Sequence, residues 1–181
     1  MKSNSKFHMY YNTFREISRI VHSSIDMEEV LELIVWKAAE ALQAKGAALR
    51  ILDLDTQQLE LTASHGLSDN YFAKRPLSSL KIITDLYDKK KVVIIRDLSN
   101  DPRVKYPENL HNEGVRMIMD LPLKFRTDMA GILRLYFSSQ KEFPEDEIDF
   151  AESLAEQCRC AIDKVRLIQD QKNRYDLLAL Q

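Results

Sequence analysis

The sequence predicts an α+β fold, with helices at both ends and an antiparallel β region between them. Three observations predict it. Apolar residues recur every three or four positions through Leu42, alternate from Ala47 onward, and return to an unbroken helical pattern after Pro144.

The first helix carries Phe7, Tyr10, Phe14, Ile17 and Val21, a heptad seam with steps of three and four. Ser24 interrupts it. A second helix starts at Asp26, with Glu29 three positions on as in a capping box, and shows the stripe Leu31, Ile34, Val35, Ala38, Ala41 and Leu42. Gly46 lies just past its end, where a left-handed residue is expected. Ala47–Leu52 and Leu59–Ser64 read as a hairpin around a turn near Asp53–Gln57. Residues 67–91 predict a short helix, an extended piece and a helix around Ile82–Asp88, with Lys89–Lys91 as a solvated turn. Val92–Ile95 is a short buried strand, and Asp97–Pro102 is a loop whose Asp and Asn bond their own backbone. Met117–Lys124 and Gly131–Ser138 are strands joined by the polar turn Arg126-Thr127-Asp128. Pro144 then opens a helix with Glu145, Asp146 and Glu147 in its first turn, where the macrodipole favours anions.

The chain has 181 residues, a length that fits one domain with appended helices. Its 45% hydrophobic and 30% charged residues are those of a folded globular protein. A domain of this size buries roughly 70% of its unfolded surface and needs neither disulfide nor metal. Lys and Arg total 26 against 28 Asp and Glu, a net charge of −2 that argues against nucleic acid or an anionic membrane as the main partner. Four glycines, none closely spaced, leave neither a P-loop nor a dinucleotide fingerprint. The two cysteines, Cys158 and Cys160, point about 200° apart on a helix and can neither bridge nor share a metal, which fits a reducing compartment. No apolar run reaches the length of a membrane span.

The final helical pattern is longer than one sheet requires. Leu154, Cys158, Ala161, Val165, Ile168, Lys172, Tyr175 and Ala179 form a narrow seam that continues past the wide apolar face, and this predicts a coiled coil with a second copy, the N-terminal seam supplying the other half of the bundle.

The order helix, helix, hairpin, crossover, two strands and long exit helix resembles a GAF domain from about Ser24 to Val165. The resemblance is carried by Asp26…Leu31…Ile34, Ala47–Asp53, and Leu59–Leu67 with its Ser-His-Gly-Leu ending. Further matches are Val92–Ile95 followed by Asp97…Asp101-Pro102-Arg103, Leu121-Pro122-Leu123…Gly131-Ile132-Leu133, and Phe143-Pro144-Glu145-Asp146. It implies a six-stranded antiparallel sheet with the terminal helices on one face and a ligand cavity on the other, roofed by residues 70–116. It also implies a regulatory module in a signalling protein, a homodimer through its flanking helices, and an attached output domain. No nucleophile–base pair or metal constellation can be assembled from the sequence, so no enzyme is expected. The expected location is the cytoplasm, with any membrane anchor of the parent protein outside this chain. On this reading residues 1–23 are a signalling helix, 24–165 the domain, and 166–181 a coiled-coil extension.

Period-two sorting puts Ala48, Arg50 and Leu52 on one face of their strand, and Ile132, Arg134 and Tyr136 on the matching face of the last strand. Asp120 and Glu60 are expected to bring carboxylates nearby. A polar site in which an arginine fork grips a carboxylate or phosphate follows, as does a self-satisfied salt-bridge network; both readings stay open. His111, Tyr106 and Arg116 lie in the roof segment, where the resemblance puts ligand contacts. The candidate ligand-binding set is therefore Arg50, Asp120, Arg134, Tyr136, His111 and Arg116.

The four histidines lack metal-ligand spacing, so no protein-built metal site is expected; haem on one histidine stays open. Cyclic-nucleotide-binding members carry Asn-Lys, then Phe, three residues, and Asp-Glu. Here only two residues separate Phe143 from Asp146-Glu147, and no Asn-Lys occurs. Bilin attachment and methionine-sulfoxide reduction both need cysteines near the cavity, whereas both cysteines fall in the exit helix. No motif names a cofactor.

Overall fold

The computed structural model describes residues 2–24, 26–53, 55–73, 92–125 and 128–179. Helices α1 (Lys2–Ser23) and α2 (Met27–Ala41) meet at a sharp break. Asp26 is extended there, and its carboxylate accepts from the backbone N–H groups of Glu28 and Glu29, so two of the orphan donors of α2 are satisfied. The predicted stripe of α2, from Leu31 to Leu42, is buried throughout. The left-handed residue beyond α2 is Gln43, not Gly46. Gly46 instead begins β1, where a Cβ would come within 2.5 Å of the His65 carbonyl oxygen. Its role is close approach between strands rather than a helix cap.

Five strands form one antiparallel sheet: β1 (Gly46–Asp53), β2 (Gln58–His65), β3 (Val93–Ile95), β4 (Met117–Phe125) and β5 (Asp128–Phe137). Their spatial order is β2-β1-β5-β4-β3. Six strands were expected, and the described residues supply five. The β1–β2 turn is held by Asp53, whose carboxylate accepts from the N–H groups of Asp55 and Thr56. Short helices α3 (Asp69–Phe72) and α4 (Pro107–Asn112) lie in the crossover, and α5 (Glu145–Ala179) closes the chain. The expected helix at Ile82–Asp88, the Lys89–Lys91 turn and residues 126–127 fall outside the described residues.

The sheet separates two cores. On one face Ala47, Leu49, Met119, Leu133, Leu135 and Phe137 meet Ile17 and Val21 of α1, Ile34 and Val35 of α2, and Leu154 and Cys158 of α5. Each large aliphatic side chain buried there contributes about 1.5–3 kcal/mol. On the other face Ala48, Leu52, Leu59, Val93, Ile95, Ile118, Ile132 and Tyr136 meet Leu98, Val104, Leu110 and Val115 from the loops and α4. Strict alternation along β1 and β5 therefore sorts their residues as the sequence predicts.

The helical layer corrects one expectation. Tyr10, Ile17 and Val21 of the N-terminal seam are buried within the chain's own core, and Tyr10 stacks on Phe150 of α5 at 4.1 Å between ring centroids. Phe7, 62% exposed, is the seam residue left facing outward. The seam of α1 is thus largely used by its own domain rather than held for a second copy.

Candidate functional site

The face of the sheet opposite the three long helices gathers an arginine–carboxylate cluster. Arg134 on β5 donates from Nε to Asp120 Oδ1 at 2.6 Å and from Nη2 to Asp120 Oδ2 at 2.7 Å, a bidentate pair. The register explains it, because Asp120 of β4 lies directly opposite Arg134. Asp120 is fully buried and Arg134 nearly so. Arg134 Nη2 also donates to the Arg103 carbonyl at 3.2 Å, which ties the sheet to the loop after β3. In that loop Arg103 makes its own two-point contact with Asp101, at 2.8 and 2.6 Å.

Arg50 differs from both. It is 9% exposed, and among the described residues its side chain has neither an ion pair nor a hydrogen bond. Burial lowers its pKa from the ordinary guanidinium value; the Tyr136 and Tyr71 hydroxyls oppose that shift and the Arg134 charge adds to it. The group still stays a cation at neutral pH. The backbone around it is tight, since a Cβ on Gly131 of β5 would come within 2.4 Å of the Arg50 carbonyl oxygen. Glycine at 131 lets β5 close on β1 at this point.

Tyr136 lies 1% exposed on the same face. Burial pushes its hydroxyl well above the ordinary phenol range, and the neighbouring Tyr71 adds to this, so the group is a neutral O–H. Tyr71 and Phe72 of α3 stand edge-on to the Tyr136 ring at 5.8 and 6.4 Å. They are held there by Ser68, which caps α3 by accepting from Tyr71 N–H. Glu113, just past α4, accepts from the Ser68 hydroxyl and from its N–H, so two pieces of the roof are fastened together.

Of the six candidate residues, the structure brings Arg50, Asp120, Arg134 and Tyr136 to one buried face. His111 is exposed on α4. Arg116 is exposed as well; its backbone serves β5 and Gln140 while its side chain stays outside the cluster. Glu60, expected near Arg50, points away. A register shift between Leu49 and Arg50 sets Leu61 opposite Arg50 and leaves Glu60 opposite Ile51, exposed. Tyr106 is 40% exposed. Residues the sequence reasoning did not assign are Asp101, Arg103 and Tyr71. The first two stand in the Asp-Pro-Arg segment after β3, and the third in an aromatic pair behind a serine cap.

Among the described residues no group of three or more His, Cys, Asp or Glu could hold a metal ion. Cys158 is buried, its thiol pushed up to about 12 by burial, and Cys160 is half-buried.

The fold and this face can now be set beside known proteins. The pattern of the GAF domain family matches residues 24–163. The chain belongs to the GAF domain family. A curated relative, the Nif-specific regulatory protein of Herbaspirillum seropedicae, is 24% identical over 141 residues. That match takes in 76% of this chain and 26% of the relative, so the chain spans about a quarter of the relative's length. Among solved structures, the GAF domain of a phosphoenolpyruvate-protein phosphotransferase from Coxiella burnetii superposes with a TM-score of 0.76 at 23% identity, covering 91% of this chain and 98% of that one. The free methionine-R-sulfoxide reductase of Neisseria meningitidis, solved with its substrate, gives a TM-score of 0.71 at 16% identity, covering 90% and 93%. These likenesses are to the fold. Others of the same kind are a putative sensor histidine kinase domain from Sinorhizobium meliloti and a methyl-accepting chemotaxis protein, so this GAF domain resembles domains taken from signalling proteins. Among the described residues no helix is long and apolar enough to cross a membrane.

Proposed function

We propose that this GAF domain is a sensory, regulatory module rather than an enzyme. A small polar ligand docks its anionic group on Arg50, and occupancy biases the flanking helices that lead to an attached signalling output domain in the cytoplasm. One observation carries the reading. Arg50 is a buried cation with no partner among the described residues, while Arg134 and Arg103 each have a carboxylate at 2.6 Å. A buried charge left uncompensated costs several kcal/mol, and a bound anion offsets that cost. Tyr136, a neutral hydroxyl on the same face of the sheet, supplies a second polar contact. The exposed side chains of His111 and Arg116 fit a ligand contact less well.

The path outward runs through α5. Leu154 and Cys158 rest on the sheet, while Val165, Leu167 and Ile168 farther along are 38%, 65% and 46% exposed. These support the view that residues 166–181 extend from the domain as a coiled coil. They also favour a second reading, a ligand-free dimerisation module whose site is filled by its own Arg134–Asp120 pair.

Native mass spectrometry of the full chain, under gentle and then denaturing conditions, separates the two. A small-molecule mass retained in the folded state and lost on denaturation supports the sensor. A dimer without added mass supports the dimerisation module. A monomer without added mass counts against the coiled-coil extension.

A further inference from the structure

The immediate surroundings of Arg50 restrict what its ligand can be. Across the sheet its two neighbours are Leu61 of β2 and Ile132 of β5, and along β1 the residues on its face are Ala48 and Leu52. All four are apolar. Among the described residues, the polar groups that act electrostatically on Arg50 are Tyr136, Tyr71 and the Arg134 guanidinium, itself bound to Asp120. Among the described residues the cation therefore has no ion-pair partner, and its neighbours in the sheet are hydrophobic.

We propose that this site takes a monoanionic carboxylate with an apolar body, its carboxylate on Arg50 and its hydrocarbon against Leu52, Leu61 and Ile132. The proposal rests on the sensor reading above. Arg103 pairs with Asp101 and Arg134 with Asp120, so among the described residues Arg50 is the guanidinium of this region whose positive charge is left uncompensated. One carboxylate satisfies it, and a guanidinium fork accepts a carboxylate in two-point contact. A second anionic group has no such counterpart. Beside Arg50 it meets aliphatic walls that cannot replace its lost water, and beside Arg134 it meets the Asp120 carboxylate. Arg50 thus supplies affinity, and the apolar side chains next to it in the sheet supply selectivity.

The test is a calorimetric titration of the full chain with hexanoate, 3-phenylpropanoate, hexanedioate, hexanamide and inorganic phosphate. Each is run on the wild type and on Arg50→Met and Arg50→Lys, with circular dichroism confirming that the variants fold. The expected result is binding of hexanoate and 3-phenylpropanoate about tenfold or more tighter than hexanedioate, hexanamide or phosphate. Arg50→Met abolishes that binding and Arg50→Lys retains part of it, because the charge remains while the fork is lost. If hexanedioate or phosphate binds as tightly as hexanoate and depends on Arg50, the anion site stands and the monocarboxylate class is overturned. If no probe anion binds, or binding is unchanged in Arg50→Met, the Arg50 site itself is overturned along with the class.

Discussion

Two arginines on one face of the sheet have different fates, and the difference is a matter of register. Arg134 lies opposite Asp120, so its charge is met within the sheet. Arg50 lies opposite Leu61 and Ile132 and has no carboxylate partner among the described residues. Replacing Asp120 with Asn is predicted to destabilise the fold by about 3–5 kcal/mol in urea unfolding, because Arg134 then keeps a buried charge without its partner. The double replacement Asp120→Leu with Arg134→Met recovers most of that loss, since neither charge then remains. At Cys158 the same burial logic gives a chemical prediction. With its thiol pushed up to about 12, it stays unreactive toward a thiol-labelling disulfide until the chain unfolds, whereas half-buried Cys160 is labelled first. Mass mapping after brief labelling checks the order. Much of the site was legible at this scale. Period-two alternation set Arg50, Arg134 and Tyr136 on one face, and Asp120 joined them. Glu60 was misplaced because one extra residue in β2 shifts the register, and alternation contains no signal for a bulge. Arg103 and Asp101 reach the sheet only through a loop, which has no periodicity to read.

At the level of elements, lysines from α5 and the segment before it serve the ends of other helices. Lys164 of α5 donates to the carbonyls of Val21, His22 and Ser24 at 3.1, 3.2 and 2.7 Å, which places a cation at the C-terminus of α1. Lys141, ahead of α5, donates to the Leu42 carbonyl at the end of α2 and to Glu147 at 2.6 Å. Glu147 also takes Lys6 of α1 at 3.0 Å. Helices α1 and α5 are therefore fastened near both ends of their contact, and they run parallel. Lys164→Met keeps the aliphatic stem and removes the three donors. Its predicted cost is about 1–2 kcal/mol, with faster amide exchange confined to the last turn of α1. Uniform exchange along α1 would mean that Lys164 is not the clamp. Helix starts and stripes were legible here: Asp26 caps α2, and the stripe from Leu31 to Leu42 is buried. The partner of the α1 seam was not, because a heptad reads the same whether it meets its own chain or a second copy. Tyr10 on Phe150 resolves that in favour of its own chain for most of the seam.

For the whole molecule, one sheet divides a core made of the long helices from a second core under short helices and loops, and the charged cluster belongs to the second. The helical core holds the fold together, and the second face holds Arg50 at an energetic disadvantage. A residue kept for binding rather than for packing stabilises the folded state least when its ligand is absent, so its removal separates the two purposes. The most direct measurement is equilibrium urea unfolding of the full chain and its Arg50→Met variant, side by side and without added anions. Methionine fills much of the same space and carries no charge to bury. The account predicts a variant more stable by about 1–3 kcal/mol, the gain from removing an unsatisfied buried polar group. A variant destabilised by a similar amount would mean that Arg50 is satisfied within the protein and would contradict its assignment as the ligand's anchor.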